Sequence, residues 1–242
     1  MDSTDEKILA IDIGGSHIKA TVLNSSGQYL ADYQRQPTPK PPAPDKILAV
    51  IKDISGKLPP FDKIAAGFPG YVKDGVVKTA PKLGNDLWKD FPLAKSLKEM
   101  LGKSALLLND ADLQALALAK GKGFELVITL GTGFGSAIIQ DGYLLPHLEM
   151  SLHPITKSKT YNDYVGEDAL VKIGKVKWNQ RMKKVLTILK TVFNYDHLFI
   201  SGGNAQLLTF DLDANVTIED NKDGIKGGAI AWEQAGNHST EE

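Results

Sequence analysis

The chain has 242 residues and not one cysteine. That excludes a disulfide framework, a thiolate nucleophile, a cysteine-ligated zinc and an iron–sulfur cluster, and it suits a reducing compartment. Its 28 Lys and Arg against 29 Asp and Glu leave a formal charge of −1, so no global field draws in nucleic acid or an anionic membrane, and a charged partner must meet a local patch.

The start, MDSTDEK, is acidic and polar where a signal peptide is basic and then apolar. No run approaches the ~18 apolar residues of a membrane span. The expectation is a cytoplasmic protein, long enough for one large domain or two compact ones.

Three short β-type runs come first, at 8–12, 18–23 and 28–34. The turns between them, Gly14-Gly15-Ser16 and Asn24-Ser25-Ser26-Gly27, predict an antiparallel meander. Residues 37–44 hold five of the twelve prolines and form an irregular connector. A helix follows, with Asp45 as its N-cap and Ile47, Leu48, Val50, Ile51 and Ile54 as its apolar stripe. A strand over 63–68 ends at Gly67-Phe68-Pro69-Gly70, and Val76-Val77 reads as a short return strand. A second, similar cycle opens with a buried strand at 105–108 and a helix over 111–120. Strands at 126–130 and 135–139 then repeat the strand, glycine turn, strand order of the beginning. Helices over 162–173 and 178–193, strands at 197–201 and 215–218 and a helix over 225–234 complete the chain. Two comparable halves of mixed strands and helices predict an α/β protein of two lobes.

Three glycine-rich turns each follow an apolar strand: Asp12 to Ser16, Leu130 to Gly135, and Ser201-Gly202-Gly203-Asn204. Glycine there lets backbone N–H groups approach a phosphate closely, and it equally serves a tight hairpin. The second turn is not a dinucleotide fingerprint, because a strand rather than a helix follows it, and no GxxxxGK[ST] loop is present. Asp12 is placed either to hold a magnesium ion beside a phosphate or to initiate the turn with its own backbone. Asn109-Asp110, at a strand–helix junction, offers either a carboxylate that accepts a hydroxyl proton beside an orienting amide, or a helix cap.

These residues carry a resemblance. DIGGSHIK at 12–19, GFPGYV at 67–72, LLNDADLQALA at 107–117, TLGTGFGSA at 129–137 and FISGGNA at 199–205 follow the order and approximate spacing of the ROK family of sugar kinases. HLEMSLHPITKSKTYNDYVG at 147–166 resembles its polyphosphate-dependent glucokinase branch. The resemblance implies an actin/hexokinase-like (ribonuclease H-like) α/β fold of two lobes with an interlobe cleft. The lobes would comprise residues 1–110, completed by a helix over 225–236, and residues 111–224. It further implies phosphorylation of a hexose, glucose foremost, at its 6-hydroxyl, with ATP or polyphosphate as donor and Mg2+ as cofactor.

By the same resemblance Asp110 is the catalytic base and Asn109 binds an adjacent sugar hydroxyl. Gly14, Gly15 and Ser16 form a first phosphate loop, with Asp12 as its magnesium-organising carboxylate. Gly131, Thr132 and Gly133 form a second, Gly202, Gly203 and Asn204 the nucleotide-side turn, and Glu149 a sugar contact. The family's histidine three residues beyond that glutamate is replaced by Leu152, with His153 next in line to supply the contact. Its second sugar-binding glutamate has only Asn162 and Asp163 to stand for it. A homodimer without zinc is implied, and the alternative reading is a sugar-binding or regulatory relative without turnover. A DNA-binding member would need a further helix-turn-helix domain, for which the seven residues before the first strand are too few.

Residues 171–190 hold seven basic side chains, Lys172, Lys175, Lys177, Arg181, Lys183, Lys184 and Lys190, and no acidic one. At about 100° per residue, Trp178, Met182, Val185, Ile188, Leu189 and Val192 form an apolar stripe with Lys177, Arg181 and Lys184 along its edge. The segment is either a guide for a long polyanion, with inorganic polyphosphate the one the resemblance suggests, or a solvated helix face.

Overall fold

The computed structural model describes residues 6–238, so the acidic start over 1–5 and the polar end over 239–242 lie outside the described residues. The chain divides into two compact units, one built from residues up to 117 together with those from 224 onward, the other from 118–223.

In the first unit the elements are β1 (Ile8–Ile13), β2 (His17–Leu23), β3 (Gln34–Pro37), α1 (Pro44–Ser55) and β4 (Lys63–Phe68), then the small hairpin β5 (Val72–Lys73) and β6 (Val76–Val77). α2 (Asn85–Trp88), α3 (Leu93–Leu101), β7 (Ser104–Asn109) and α4 (Asp110–Leu118) follow, and a C-terminal helix, Gly227–His238, returns to this unit. The sheet order is β3-β2-β1-β4-β7. β1, β2 and β3 are antiparallel neighbours, while β1, β4 and β7 run parallel.

Strand alternation sends Leu9, Ile11 and Ile13, with Ile64, Ala66 and Phe68, to one face, where Ile47, Ile51 and Ile54 of α1 and Trp88 cover them. The opposite face is lined with small residues, Ala10 and Ala65 among them, and the C-terminal helix packs there. A Cβ on Gly228 would stand 2.8 Å from that of Ala65, so the helix approaches closer than any larger residue allows. The Trp232 indole N–H fixes its height by donating to the Ile64 carbonyl at 3.0 Å.

Two local expectations are corrected. The third strand forms at Gln34–Pro37 and not over 28–34, because Asn24 and Gly27 tighten a loop that holds Gln28 back on Asn24, and Tyr29 makes only an isolated bridge to Leu23. The N-cap of α1 is Ala43, with Pro44 at the first helical position, where its missing N–H costs nothing; Asp45 lies inside the first turn.

The second unit contains β8 (Phe124–Leu130), β9 (Phe134–Gln140), β10 (Tyr143–Leu144), the hairpin β11 (Pro154–Thr156) and β12 (Lys159–Thr160), α5 (Tyr161–Val165), α6 (Glu167–Phe193), β13 (His197–Ser201) and β14 (Val216–Ile218). Its sheet order, β10-β9-β8-β13-β14, repeats the first: an antiparallel meander on one side of the leading strand and parallel partners on the other. Trp178, Met182, Val185 and Leu189 of α6 are sealed against this sheet. Burial of Met182, Val185 and Leu189 contributes about 1.5–3 kcal/mol apiece.

The two helices expected over 162–173 and 178–193 are divided differently. The first break is at Gly166, where ψ turns to 173°, and α6 is itself interrupted at Gly174, with φ at 76°. The apolar stripe ends at Leu189; Val192 is 67% exposed.

Candidate active site

In the first unit the candidate residues lie at or just beyond the carboxyl ends of three adjacent parallel strands, the position where open α/β sheets bind ligands. Asp12 near the end of β1 pairs in register with Gly67 on β4, and Gly67 with Leu108 on β7, one residue before Asn109. With strands ~4.8 Å apart, Asp12 and Leu108 stand about 10 Å from one another across the sheet. The Asp12 carboxylate is 3.6 Å from the Lys19 ammonium across the hairpin. Burial pushes its pKa up, and the lysine's charge and hydrogen bond oppose that shift.

The turn after Asp12 is shaped by its own backbone. The Gly14 N–H donates to the His17 carbonyl at 2.9 Å and closes the hairpin, whereas the N–H groups of Gly15 and Ser16 meet no acceptor among the described residues. Thr38, inside the proline-rich connector, straps the loop: its hydroxyl donates to the Gly14 carbonyl at 2.6 Å and its N–H to the Ser16 carbonyl at 2.9 Å. Composition marked that connector only as irregular, and Thr38 carried no signal of its own.

At the end of β7, Asn109 and Asp110 both reach the first free N–H of α4. Asn109 is buried and is the cap: its Oδ1 accepts from the Ala111 N–H at 2.8 Å and more weakly from that of Asp112 at 3.4 Å. Its amide nitrogen donates to the Gly70 carbonyl at 3.0 Å, which ties the GFPG turn to the head of α4 and leaves one amide N–H over. Asp110, the first residue of α4, is exposed, with one carboxylate oxygen 2.9 Å from the Ala111 N–H. Gly67 lets α4 sit tightly on β4, with the Asp110 Cα 3.4 Å from where a Cβ would be.

In the second unit the two remaining glycine turns are joined. The Asn204 N–H donates to the Leu130 carbonyl at 2.9 Å and its side-chain amide to the Gly131 carbonyl at 3.2 Å. Gly202, at φ 94°, lies so close to Leu130 that a Cβ would fall 2.3 Å from its carbonyl oxygen. Cβ atoms on Gly131 and Gly203 would instead meet nothing within 4 Å. Packing therefore does not demand glycine at those two positions, and free space over a glycine backbone is what a closely approaching phosphate needs. The Gly131 N–H is engaged by the Gly133 carbonyl, so the donors of this loop without an acceptor among the described residues are the N–H groups of Thr132 and Gly133.

Glu149 precedes a 3-10 turn, Met150–Leu152, and the Ser151 hydroxyl donates to its Oε1 at 2.5 Å. The imidazole facing its other oxygen is that of His147, at 3.6 Å with its side chain 6% exposed, a residue the family pattern did not single out. His153 is exposed, its ring 6.0 Å from that of Tyr161, and Leu152 is also exposed. Asn162 accepts from the Phe134 N–H at 3.3 Å and so supports the glycine loop. Asp163 closes a capping box with Thr160, whose backbone N–H and hydroxyl hold its carboxyl below the usual range. Both residues at the place of the family's second sugar-binding glutamate thus have structural partners.

The repeated sheet is that of the actin/hexokinase-like fold, and the relatives of the chain make it a phosphotransferase. The model of the ROK family matches residues 8–146, and the chain belongs to that family. It is similar to the polyphosphate glucokinase of Mycobacterium tuberculosis (strain CDC 1551 / Oshkosh), with 31% identity over 211 residues, 83% of this chain and 78% of that protein. The polyphosphate glucokinase of Mycobacterium leprae (strain TN) is 34% identical over 80% of this chain and 62% of its own length. Among solved structures, the inorganic polyphosphate/ATP-glucomannokinase from Arthrobacter sp. strain KM matches with a TM-score of 0.86 and 26% identity, over 96% of this chain and 100% of that one.

Proposed function

We propose that the protein is a sugar kinase that transfers a phosphoryl group from polyphosphate or ATP to the 6-hydroxyl of a hexose, glucose foremost, with Asp110 as general base. The observation that carries this reading is the exposed carboxylate of Asp110 at the head of α4, directly beside the buried amide of Asn109, with which it shares the Ala111 N–H. The ROK membership and the polyphosphate glucokinase relatives supply the reaction class.

In this mechanism the sugar hydroxyl loses its proton to Asp110 as its oxygen attacks the terminal phosphorus and the bond to the remaining donor breaks. The spare amide N–H of Asn109 orients a neighbouring sugar hydroxyl, and Glu149, with His153 beside its turn, binds others. The open N–H groups of Gly15, Ser16, Thr132 and Gly133 receive phosphate oxygens, and Gly203 leaves room on the nucleotide side. Asp12 is the residue that would hold Mg2+, with Lys19 as its resting partner. A single carboxylate suits this ion, which is commonly held by one or two carboxylates and the substrate's phosphates. When bound, it supplies charge neutralisation at those phosphates.

The engagement of Asn162 and Asp163 elsewhere supports weaker reading of the sugar's 1- and 2-positions, and hence a wider range of hexoses, than a second glutamate would give. Among the described residues no helix is long and apolar enough to cross a membrane. The homodimer belongs to the same proposal, and sedimentation measures it.

The decisive experiment is Asp110→Asn, assayed with glucose against both donors. Turnover should drop by about 10³-fold or more, given what a positioned base and its charge supply, while glucose binding and the melting temperature stay near those of the parent. Retention of more than a few per cent of the rate removes Asp110 from the role.

A further inference from the structure

The basic segment of α6 is not used by the mechanism above, and its charges are not equivalent. Lys190 is neutralised by Asp213 at 2.8 Å, and Lys183 lies over the Phe210 ring. Arg181 is fixed by a bond to the Tyr164 carbonyl at 3.0 Å and stacks on that tyrosine's ring, which Lys184 also approaches. Lys172, Lys175 and Lys177 are exposed, and their ammonium groups have no ion-pair or hydrogen-bond partner among the described residues, although the Lys175 carbonyl accepts from the Asn179 amide at 2.9 Å. Uncompensated charge is therefore concentrated around the Gly174 interruption. The kink itself is open, with no atom within 4 Å of where a Gly174 Cβ would be.

This segment is physically continuous with the second phosphate loop. Gly166, from which α6 starts, is packed so that a Cβ there would lie 3.3 Å from the Thr132 carbonyl oxygen, and Asn162 accepts from Phe134 at the end of the same loop. Glu167 and Asp168 fill the first turn, so the basic run begins beyond them. Lys172 stands about 9 Å along the first helical stretch from Gly166, and beyond the Gly174 interruption Lys175 to Lys184 span about 14 Å of the second stretch.

We propose that Lys172, Lys175 and Lys177, continued by Arg181 and Lys184, form a docking track for the distal part of a long linear polyphosphate whose reacting end lies at the Thr132-Gly133 loop. The inference rests on the phosphoryl-donor reading of that loop and deepens it: the track selects chain length. ATP, held by its reacting end, does not touch it. Linear polyphosphate releases counterions on binding as nucleic acids do, so the contribution of the track falls with salt.

The test is the triple variant Lys172→Gln, Lys175→Gln, Lys177→Gln, with Lys190→Gln as a control for the loss of charge alone. Direct binding of long-chain polyphosphate is measured by anisotropy over a salt series, beside KM for long-chain polyphosphate, tripolyphosphate and ATP. In the triple variant, long-chain affinity should fall about tenfold at low salt and the slope of log K against log salt should flatten by about 2, at ~0.7 for each phosphate that is no longer neutralised. KM for long-chain polyphosphate should rise in parallel, with values for ATP and tripolyphosphate, the melting temperature and the Lys190→Gln control unchanged. Unchanged long-chain binding, or an equal loss for ATP, overturns the track. A change of oligomeric state in the triple variant also overturns it and assigns the segment to contact between copies. Lysine-dependent binding by a parent protein that phosphorylates no sugar leaves the track standing and defeats the kinase reading; ATP-driven turnover without polyphosphate binding does the reverse.

Discussion

Asn109 and Asp110 are adjacent, both polar and both at a helix start, yet burial gives them different work. The buried amide has a partner for its oxygen in the α4 backbone and for its nitrogen in Gly70, as a buried polar group requires. The exposed carboxylate next to it is accessible to a substrate. The paired glycines of the 201–204 turn divide in the same way. Gly202 is needed by the fold, through its positive φ and the nearness of Leu130, whereas Gly203 faces open space. Gly202→Ala should therefore cost about 2 kcal/mol or more of stability, measured by urea unfolding. Gly203→Ala should leave the unfolding midpoint in place and raise KM for ATP, because its methyl group fills the space over the turn. The pair of adjacent glycines was legible in the sequence, but which of them serves the fold depends on a strand residue 72 positions earlier, and no local pattern carries that. His147 is a similar case: its approach to Glu149 follows from the chain path before the 3-10 turn and not from a spacing motif.

Among the elements, those with strong periodicity formed where expected. β4 covers 63–68 and β13 covers 197–201 because each is an apolar run bounded by turn residues. β3 was displaced because Gln-Arg-Gln-Pro has no apolar alternation; it forms as an edge strand through pairing with β2 alone. The short helix α5 owes its start to the Thr160–Asp163 capping box and ends at Gly166 one turn later. Since the folded pKa of Asp163 is depressed, its contribution to stability is present above the ordinary aspartate value near pH 3.9 and is lost as pH falls through the lowered folded value. Asp163→Asn should thus melt lower than the parent at pH 7, with the difference shrinking below about pH 4, as thermal scans across pH 2–7 would record.

At the scale of the whole molecule, five ordered motifs made the family legible, and the repeated strand, glycine turn, strand order foretold two sheets of like topology. The chain division was harder to read. α4 clusters with the first unit because Leu113 packs onto Gly67 and Gly227 onto the Leu113 carbonyl, pairings between residues far apart in sequence. The core of the second unit, by contrast, is drawn wholly from 124–218. A fragment of residues 118–223 should show a cooperative thermal transition by circular dichroism, whereas a chain ending at residue 223 should lose the cooperative transition of the first unit.

The discontinuity of that first unit also sets an order of events on the ribosome. Its sheet is synthesised first, yet the helix that covers Ala10 and Ala65 emerges only after the second unit, so this face stays bare while more than a hundred residues are added. The unit made second is complete in itself and closes sooner. β1 and β4 thus acquire their cover on this face only once the helix from Gly227 is out, which makes that helix a late step in closing the first unit.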